Sequence, residues 1–159
     1  MIVRPADPSE TGVLARLWYD GWQDAHAAIL PAELARARTL ESFAERLAAA
    51  LVDVRVIGAP GAPLGFAMLK GDELDQFYVA SRARGAGIAA VLMADAEARL
   101  SARGVETAWL ACAIGNARAA RFYEKCGWYL ARTMVSRLAT ADGPFDLKVW
   151  RYEKRLAPQ

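Results

Sequence analysis

A glycine-rich segment, Arg84 to Ala89, carries the clearest chemical signal in the sequence. It follows a strand pattern that ends at Val79 and opens a long helix pattern. The first amides of a helix lack backbone partners and the helix dipole adds positive charge, so such a junction attracts phosphate. Gly85 and Gly87 remove side chains that would obstruct those amides, and they permit positive φ angles. The segment therefore predicts a phosphate-binding loop to which Arg84 adds charge.

Other interpretations of this loop remain open. A Walker loop requires Gly-Lys-Ser or Gly-Lys-Thr, which does not follow. Gly85, Gly87 and Ala90 satisfy the loose G-x-G-x-x-A pattern of a Rossmann-type oxidoreductase, but five residues separate Val79 from Gly85. That pattern also needs an acid at the end of the next strand, whereas Glu106 begins it. Glycines that merely form a turn are the remaining alternative.

Two carboxylates, Glu73 and Asp75, begin the strand that leads to the loop. Alternate residues of a strand point to the same face, so both side chains would face the same neighbour. A carboxylate in such a position can take a proton from an incoming nucleophile. Solvated charges at the start of a strand are the alternative interpretation.

The hydrophobic pattern predicts one α/β domain with a mixed sheet around these segments. Hairpins imply antiparallel pairing, and the strand, helix and strand from residue 73 to residue 113 imply one parallel crossover. Helices are expected from near residue 9 and over 40–51, 88–102 and 117–126. Strands are expected at 2–4, 52–59, 64–70, 73–79, 106–113, 128–138 and 145–156.

Composition excludes several classes of protein. The chain has 159 residues, of which 55% are apolar, as expected for one globular domain. Its net charge of +2 gives no reason to expect nucleic acid or a membrane as a partner. Cys112 and Cys126, with His26 as the sole histidine, match neither a zinc site nor a disulfide framework. This pattern gives no reason to expect a metal. The sequence has no apolar run of the about 20 residues that are needed to cross a bilayer, so we expect a cytoplasmic protein.

The loop and its surroundings resemble the GNAT acetyltransferase superfamily. Arg84, Gly87 and Ala89 match the acyl-CoA pyrophosphate loop of that family, although Ala80-Ser81-Arg82 lacks the proline that often precedes it. The second family signature is reproduced in order by Asn116, Ala119, Phe122, Tyr123, Gly127 and Trp128. Together the motifs cover residues 52–135. The resemblance implies an α/β (α+β) fold with a mixed, mostly antiparallel central sheet flanked by helices.

The resemblance also implies acetyl-CoA as the acyl donor. Its pyrophosphate would bind Arg84, Gly85, Ala86, Gly87, Ile88 and Ala89. The pantetheine would pair with the backbone of Phe77 and Val79, which requires the neighbouring strand to diverge. Asn116 would hold the pantetheine or the pyrophosphate, and it also suits a helix cap. Arg118, Arg121 and Lys125 would either meet the 3′-phosphate or form a solvated basic stripe.

Two catalytic roles follow from the resemblance. A lysine-like amine has a pKa near ~10.4 and must lose a proton before it attacks a thioester. Glu73 matches the general base of some family members, with Asp75 as its rival and His26 as a further alternative. Tyr123 matches the general acid that protonates the departing thiolate, and a purely packed tyrosine is the alternative. Direct attack by the acceptor needs no cysteine nucleophile.

The segment from Trp18 to Pro31 is expected to face the acceptor. Trp18, Trp22 and His26 are candidate substrate-binding residues, and Asp20 and Asp24 would attract a cationic amine together with Glu73. Because Trp18 and Trp22 are spaced i, i+4, a helix face packed on the sheet explains the two tryptophans equally well.

These observations predict an N-acetyltransferase that moves an acetyl group from acetyl-CoA to a primary amine of a small molecule, peptide or protein. A non-catalytic acyl-CoA-binding sensor or partner subunit is the alternative. We expect one domain over 1–159, with acceptor-side helices at 1–51, the acyl-CoA-binding core at 52–135 and the terminal hairpin strand at 136–159. A homodimer that pairs through Val149, Trp150 and Tyr152 is left open.

Overall fold

A computed structural model describes residues 1–158 as a mixed sheet flanked by helices. The strands are β1 (Val3–Pro5), β2 (Val54–Ala59), β3 (Ala62–Lys70), β4 (Glu73–Val79), β5 (Thr107–Ala113), β6 (Tyr129–Thr140) and β7 (Gly143–Arg155). The helices are α1 (Thr11–His26), α2 (Ala32–Ala37), α3 (Leu40–Ala50), α4 (Ile88–Ala102) and α5 (Ala117–Lys125). Within the described residues, no helix has both the length and the apolar character needed to cross a membrane.

The sheet confirms the predicted mixed, mostly antiparallel topology. Over residues 1–158 the strand order is β1-β2-β3-β4-β5-β7-β6, and β4 with β5 is the one parallel pair. In the described chain this pair has a single register match, Glu73 with Trp109. The neighbouring antiparallel pair of β5 and β7 is matched from Thr107 through Ala113. β4 and β5 therefore diverge beyond Glu73, as pantetheine binding between strands requires.

The two faces of the sheet carry separate cores. α4 and α5 pack on one face, where Leu92 of α4 and Leu110 of β5 are buried. α1 and α3 pack on the other face, where Trp18 and Phe43 are fully buried. Successive residues of β2 point to opposite faces of the sheet and so belong to different cores. Val56 lies in the core under α1 and α3, and Ile57 lies in the core under α4 and α5.

Gly21 explains how α1 can lie close to the sheet. A Cβ atom at this position would be 2.6 Å from Cδ1 of Tyr78 on β4. Real Cβ contacts are essentially never that short, so a larger residue would push the helix away from the strand. The glycine in the middle of α1 thus brings the end of that helix to the centre of the sheet.

The structure corrects several predicted details. Val52 is 92% exposed and lies in a short 3₁₀ turn, so β2 begins at Val54 rather than at residue 52. The first helix ends at His26, and Pro31 stands at the N-cap of α2, a helix that the sequence did not predict. Val149 and Tyr152 are buried, and β7 lies inside the sheet between β5 and β6. Of the three residues expected at a homodimer contact, only Trp150 is partly exposed, and the homodimer stays a prediction.

Candidate active site

A cavity of about 690 Å³ opens where β4 and β5 diverge. Its walls come from the glycine-rich loop, β4, β5 and the start of α5, and from the acceptor-side helices α1, α2 and α3. The cavity therefore joins the segments that the sequence assigned to the cofactor, the chemistry and the acceptor.

The glycine-rich loop has the geometry expected of an anion-binding turn. Gly85 and Gly87 adopt φ angles of 85° and 76°, which favour glycine. Open space surrounds both α-carbons, and no side chain caps the N-terminus of α4 in the described chain. Ile88 and Ala89 line the cavity beside these glycines, whereas Ala86 does not. The first amides of α4 and the open turn thus fit a phosphate group.

The free side of β4 fits an extended ligand. On its other side β4 is paired with β3, where Phe77 is opposite Ala67 and Val79 is opposite Gly65. Phe77 and Val79 both line the cavity, and the Phe77 ring stacks on Phe122 with centroids 5.5 Å apart. A ligand lying against this side can accept and donate backbone hydrogen bonds as an added strand would.

Asn116 forms the predicted helix cap, and its predicted contact with the donor stays a prediction. Its Oδ1 accepts a hydrogen bond from the Ala119 amide at 3.3 Å, so it caps α5. It also lines the cavity, as do Arg118 and Lys125. Arg121 does not line the cavity and lies on the exposed surface.

Glu73 and Asp75 face the cavity side by side on β4. Burial, followed by the charge of Asp75, raises the pKa of Glu73 to about 7. Burial also raises the pKa of Asp75, while the charges of Arg46 and Lys70 oppose that rise. Glu73 can therefore exchange a proton close to neutral pH, as a general base must.

Tyr123 lines the same cavity from α5. Its ring packs between Phe122 and Tyr152, with centroid distances of 5.8 Å and 6.1 Å. Burial raises the pKa of its hydroxyl above the ordinary tyrosine value. The hydroxyl therefore stays protonated at neutral pH and can donate its proton.

The predicted acceptor residues divide into two groups. Trp18 is fully buried, lies 4.6 Å from Phe43 between ring centroids and does not line the cavity, so it is a core residue rather than a substrate contact. Trp22 and His26 do line the cavity. Burial lowers the pKa of His26 to about 4, and its Nδ1 is buried without a hydrogen-bond partner among residues 1–158.

Neither Asp20 nor Asp24 takes the predicted role of attracting an amine. Asp20 is exposed and pairs with Arg16 at 3.3 Å. Asp24 accepts hydrogen bonds from Arg84 at 2.9 Å and Arg118 at 3.0 Å. Asp24 therefore links the end of α1 to Arg84 of the glycine-rich loop and to Arg118 of α5.

Two arginines that the sequence did not single out, Arg38 and Arg46, also line the cavity. Arg46 shares a face of α3 with buried Phe43, three residues earlier. The sequence could have pointed to Arg46, because it is a charged residue on an otherwise apolar helix face. Cys112 lines the cavity too, but burial raises the pKa of its thiol to about 12, which disfavours the nucleophilic thiolate.

Comparison with known proteins agrees with this geometry. The family model described as "Acetyltransferase (GNAT) family" matches residues 14–128, which is more than half of the chain. The chain therefore belongs to the GNAT acetyltransferase family. No match was found among curated proteins.

Solved structures share the fold over nearly the whole chain. A GCN5-related N-acetyltransferase from Rhodopseudomonas palustris is 24% identical with a TM-score of 0.76, covering 98% of this chain and 95% of that one. An N-acetyltransferase from Staphylococcus aureus is 19% identical with a TM-score of 0.73, covering 98% of both chains. PaiA N-acetyltransferase from Thermoplasma acidophilum, solved with coenzyme A, is 16% identical with a TM-score of 0.67, covering 97% of this chain and 98% of that one.

Proposed function

We propose that this acetyltransferase is an N-acetyltransferase that moves the acetyl group of acetyl-CoA to a primary amine by direct attack. The observation that carries the proposal is the divergence of β4 and β5, which opens one cavity from the glycine-rich loop to Glu73 and Tyr123. The coenzyme A bound to the Thermoplasma relative supports the choice of donor. Residues 1–159 act as one such domain, and we expect it to work in the cytoplasm.

The donor would be held by the backbone and by few side chains. Amides at the start of α4, with the open turn of Gly85 and Gly87, would bind the pyrophosphate, and Arg84 would add a charge. The backbone of Phe77 and Val79 would pair with the pantetheine, and Asn116 lies within the same wall. This arrangement would bring the thioester toward Tyr123.

The reaction removes two protons from the acceptor ammonium and supplies one to the leaving thiolate. The acceptor ammonium would lose a proton to Glu73, directly or through water, and the free amine would attack the thioester carbonyl carbon. The C–N bond forms, the C–S bond breaks and the thiolate takes a proton from the Tyr123 hydroxyl. The attacking nitrogen loses its second proton as the amide forms, and this proton would return to Tyr123 through water. Asp75 remains the rival base, since it faces the same cavity.

Donor binding is tested by calorimetric titration with acetyl-CoA. The wild type is expected to bind it at least about tenfold more tightly than an Arg84→Ala, Gly87→Glu double variant, because a carboxylate replaces the open turn and one cation is lost. Arg99→Ala with Gly104→Glu is the matched control at the other end of α4, where Gly104 also has a positive φ and open surroundings.

Four results would contradict the proposal. Absence of acetyl-CoA binding by folded wild type would remove the donor. Equal affinity in the loop variant would remove the loop assignment. Binding of NADH instead of acetyl-CoA would favour the Rossmann-type interpretation, and donor binding without acetyl transfer to any amine would favour a sensor.

Asp24→Asn is expected to tighten acetyl-CoA binding. Its carboxylate holds Arg84 and Arg118, which the donor phosphates would otherwise use. Exposed ion pairs are worth ~0.2–1 kcal/mol, so the Kd should fall by about two- to fivefold. The same titration measures this, with Asp20→Asn one turn earlier on α1 as the control. Weaker binding by Asp24→Asn would show instead that Asp24 positions the arginines.

A further inference from the structure

Arg38 and Arg46 stand apart from the other charged residues of the cavity. Arg38 is only 5% exposed, and its Nη1 donates a hydrogen bond to the Ala139 carbonyl at 2.9 Å. The Cζ atom of Arg46 lies 4.4 Å from the centre of the Trp18 ring. In the part of the chain that the structure describes, no carboxylate lies within 4.0 Å of either guanidinium.

Two neighbouring cations, Arg38 buried and Arg46 half-buried, are unfavourable without an anion. Buried arginine is rare unless it is paired, because the desolvated charge is costly. Burial, followed by the charge of Arg46, lowers the pKa of Arg38 to about 10. An anion bound between the two guanidiniums would remove this conflict, and guanidinium groups suit carboxylates in particular.

The rest of the cavity wall specifies what the anion is attached to. Glu73 and Asp75 line the same cavity, and the charge of Asp75 acts on Arg46 across a gap longer than a salt bridge. Two guanidiniums and two carboxylates complement a molecule that carries both a carboxylate and an ammonium group. A polyamine or another purely cationic acceptor would be repelled by the arginines.

Apolar residues surround the two arginines. Leu34 lies one helical turn before Arg38, and Leu138 precedes Ala139, whose carbonyl Arg38 binds. Both leucines line the cavity, as does Leu147. A small acceptor with an apolar side chain would therefore fill this end.

We propose that the acceptor is a free amino acid, with its carboxylate bound by Arg38 and Arg46 and its amine directed toward Glu73 and Asp75. This inference rests on the proposed N-acetyltransferase function and names its substrate class. It replaces the expectation of a purely cationic amine.

The experiment measures release of the CoA thiol for matched acceptors. Each of the standard amino acids is compared with its C-terminal amide, and leucine is also compared with 3-methylbutylamine, which lacks the carboxylate. We expect kcat/KM for the preferred amino acid to exceed that for its amide at least about tenfold, because charged hydrogen bonds contribute about 1.5–3 kcal/mol. Calorimetry with CoA-loaded protein measures acceptor binding separately from turnover.

Variants assign the effect to the arginines. Arg46→Gln is expected to raise KM for the amino acid at least about tenfold more than it raises KM for the amide. Arg46→Lys should recover part of the loss, since it restores the charge without the planar geometry. Arg38→Gln is the second variant, judged together with its thermal stability because Arg38 also binds Ala139. Arg36→Gln, on the exposed side of α2, is the matched control.

The outcomes separate the two levels of the proposal. If acetyl-CoA does not bind, the proposed function fails and the amino acid acceptor fails with it. If acetyl-CoA binds but amides and plain amines match the amino acids in binding and rate, the carboxylate site alone is overturned. An equal loss for acid and amide in Arg46→Gln overturns it as well.

Discussion

Tyr123→Phe is expected to lower kcat about 100-fold, the lower end of what general acid catalysis usually contributes. The leaving thiolate has a pKa near ~8.5, so it gains from a proton but does not strictly need one. The Tyr123 hydroxyl is protonated over the neutral range, and its raised pKa makes it a weaker acid than an ordinary tyrosine. The Kd of the variant for acetyl-CoA should stay within about twofold of the wild-type value, because the substitution removes only the hydroxyl and keeps the aromatic ring. Thiol release and calorimetry measure the two quantities.

Tyr129→Phe is the matched control for this substitution. Tyr129 is 52% exposed on β6, and its hydroxyl donates to Glu153 across 3.4 Å, outside the cavity lining. It should leave kcat unchanged. An unchanged kcat in Tyr123→Phe would remove the general acid assignment and leave protonation of the thiolate to water.

Glu73→Gln is expected to lower kcat/KM about 100-fold at pH 8. Only the carboxylate form can take a proton from the acceptor, and the pKa of Glu73 is about 7. In the wild type kcat/KM should therefore rise with pH below about 7 and level off above it, and the variant should lack this step. Rates from pH 5.5 to 8.5, measured in buffers of constant ionic strength, test the profile.

Asp75→Asn decides between the two carboxylates. Removal of the Asp75 charge should lower the pKa of Glu73, because that charge raises it. The step in the pH profile would then move to lower pH while the plateau rate survives. Loss of the step in Asp75→Asn, with the step retained in Glu73→Gln, would assign the base to Asp75.

The raised pKa of Glu73 makes the stability of the protein fall as pH rises, whereas it makes kcat/KM rise. Between the ordinary value of 4.5 and about 7, the folded protein binds more protons at Glu73 than the unfolded chain does. The contribution of Glu73 to the free energy of unfolding therefore decreases as pH rises through this window. Glu73→Gln stays neutral, so its Tm should exceed that of the wild type at pH 8 and approach it at pH 4.5. A variant that is both slower and more stable would fit a residue kept for chemistry.

Local patterns were sufficient to predict the segments that carry the cofactor chemistry. β4 and α4 match their predicted bounds, because a period-two strand and a flanking glycine turn are encoded by adjacent residues. Asn116 was predictable as a cap for the same reason. The family motifs then connected these local elements to one another.

The acceptor side depends on contacts between distant segments. The i, i+4 spacing of Trp18 and Trp22 cannot reveal that the first is fully buried while the second reaches the cavity. Arg38 meets its backbone partner in Ala139, 101 residues later in the chain. Asp24 likewise finds Arg84 and Arg118 only after α1, the loop and α5 have packed together. No local periodicity specifies such pairings.

The single register match between β4 and β5 has a consequence for the lifetime of the protein. Within residues 1–158, one register match and the hydrogen bond from the Trp109 amide to the Asp72 carbonyl at 3.2 Å join one panel of the sheet, β1 to β4, to the other, β5, β7 and β6, so side-chain packing must also hold the two panels together. A donor that pairs with the exposed side of β4 would brace the first panel and fill the space between the two. At a concentration 100 times its Kd, such a ligand would add about 2.7 kcal/mol of stability. The supply of the donor would thus affect how often the protein unfolds and is cleaved by proteases. Acetyl-CoA would then affect the abundance of this enzyme as well as its turnover.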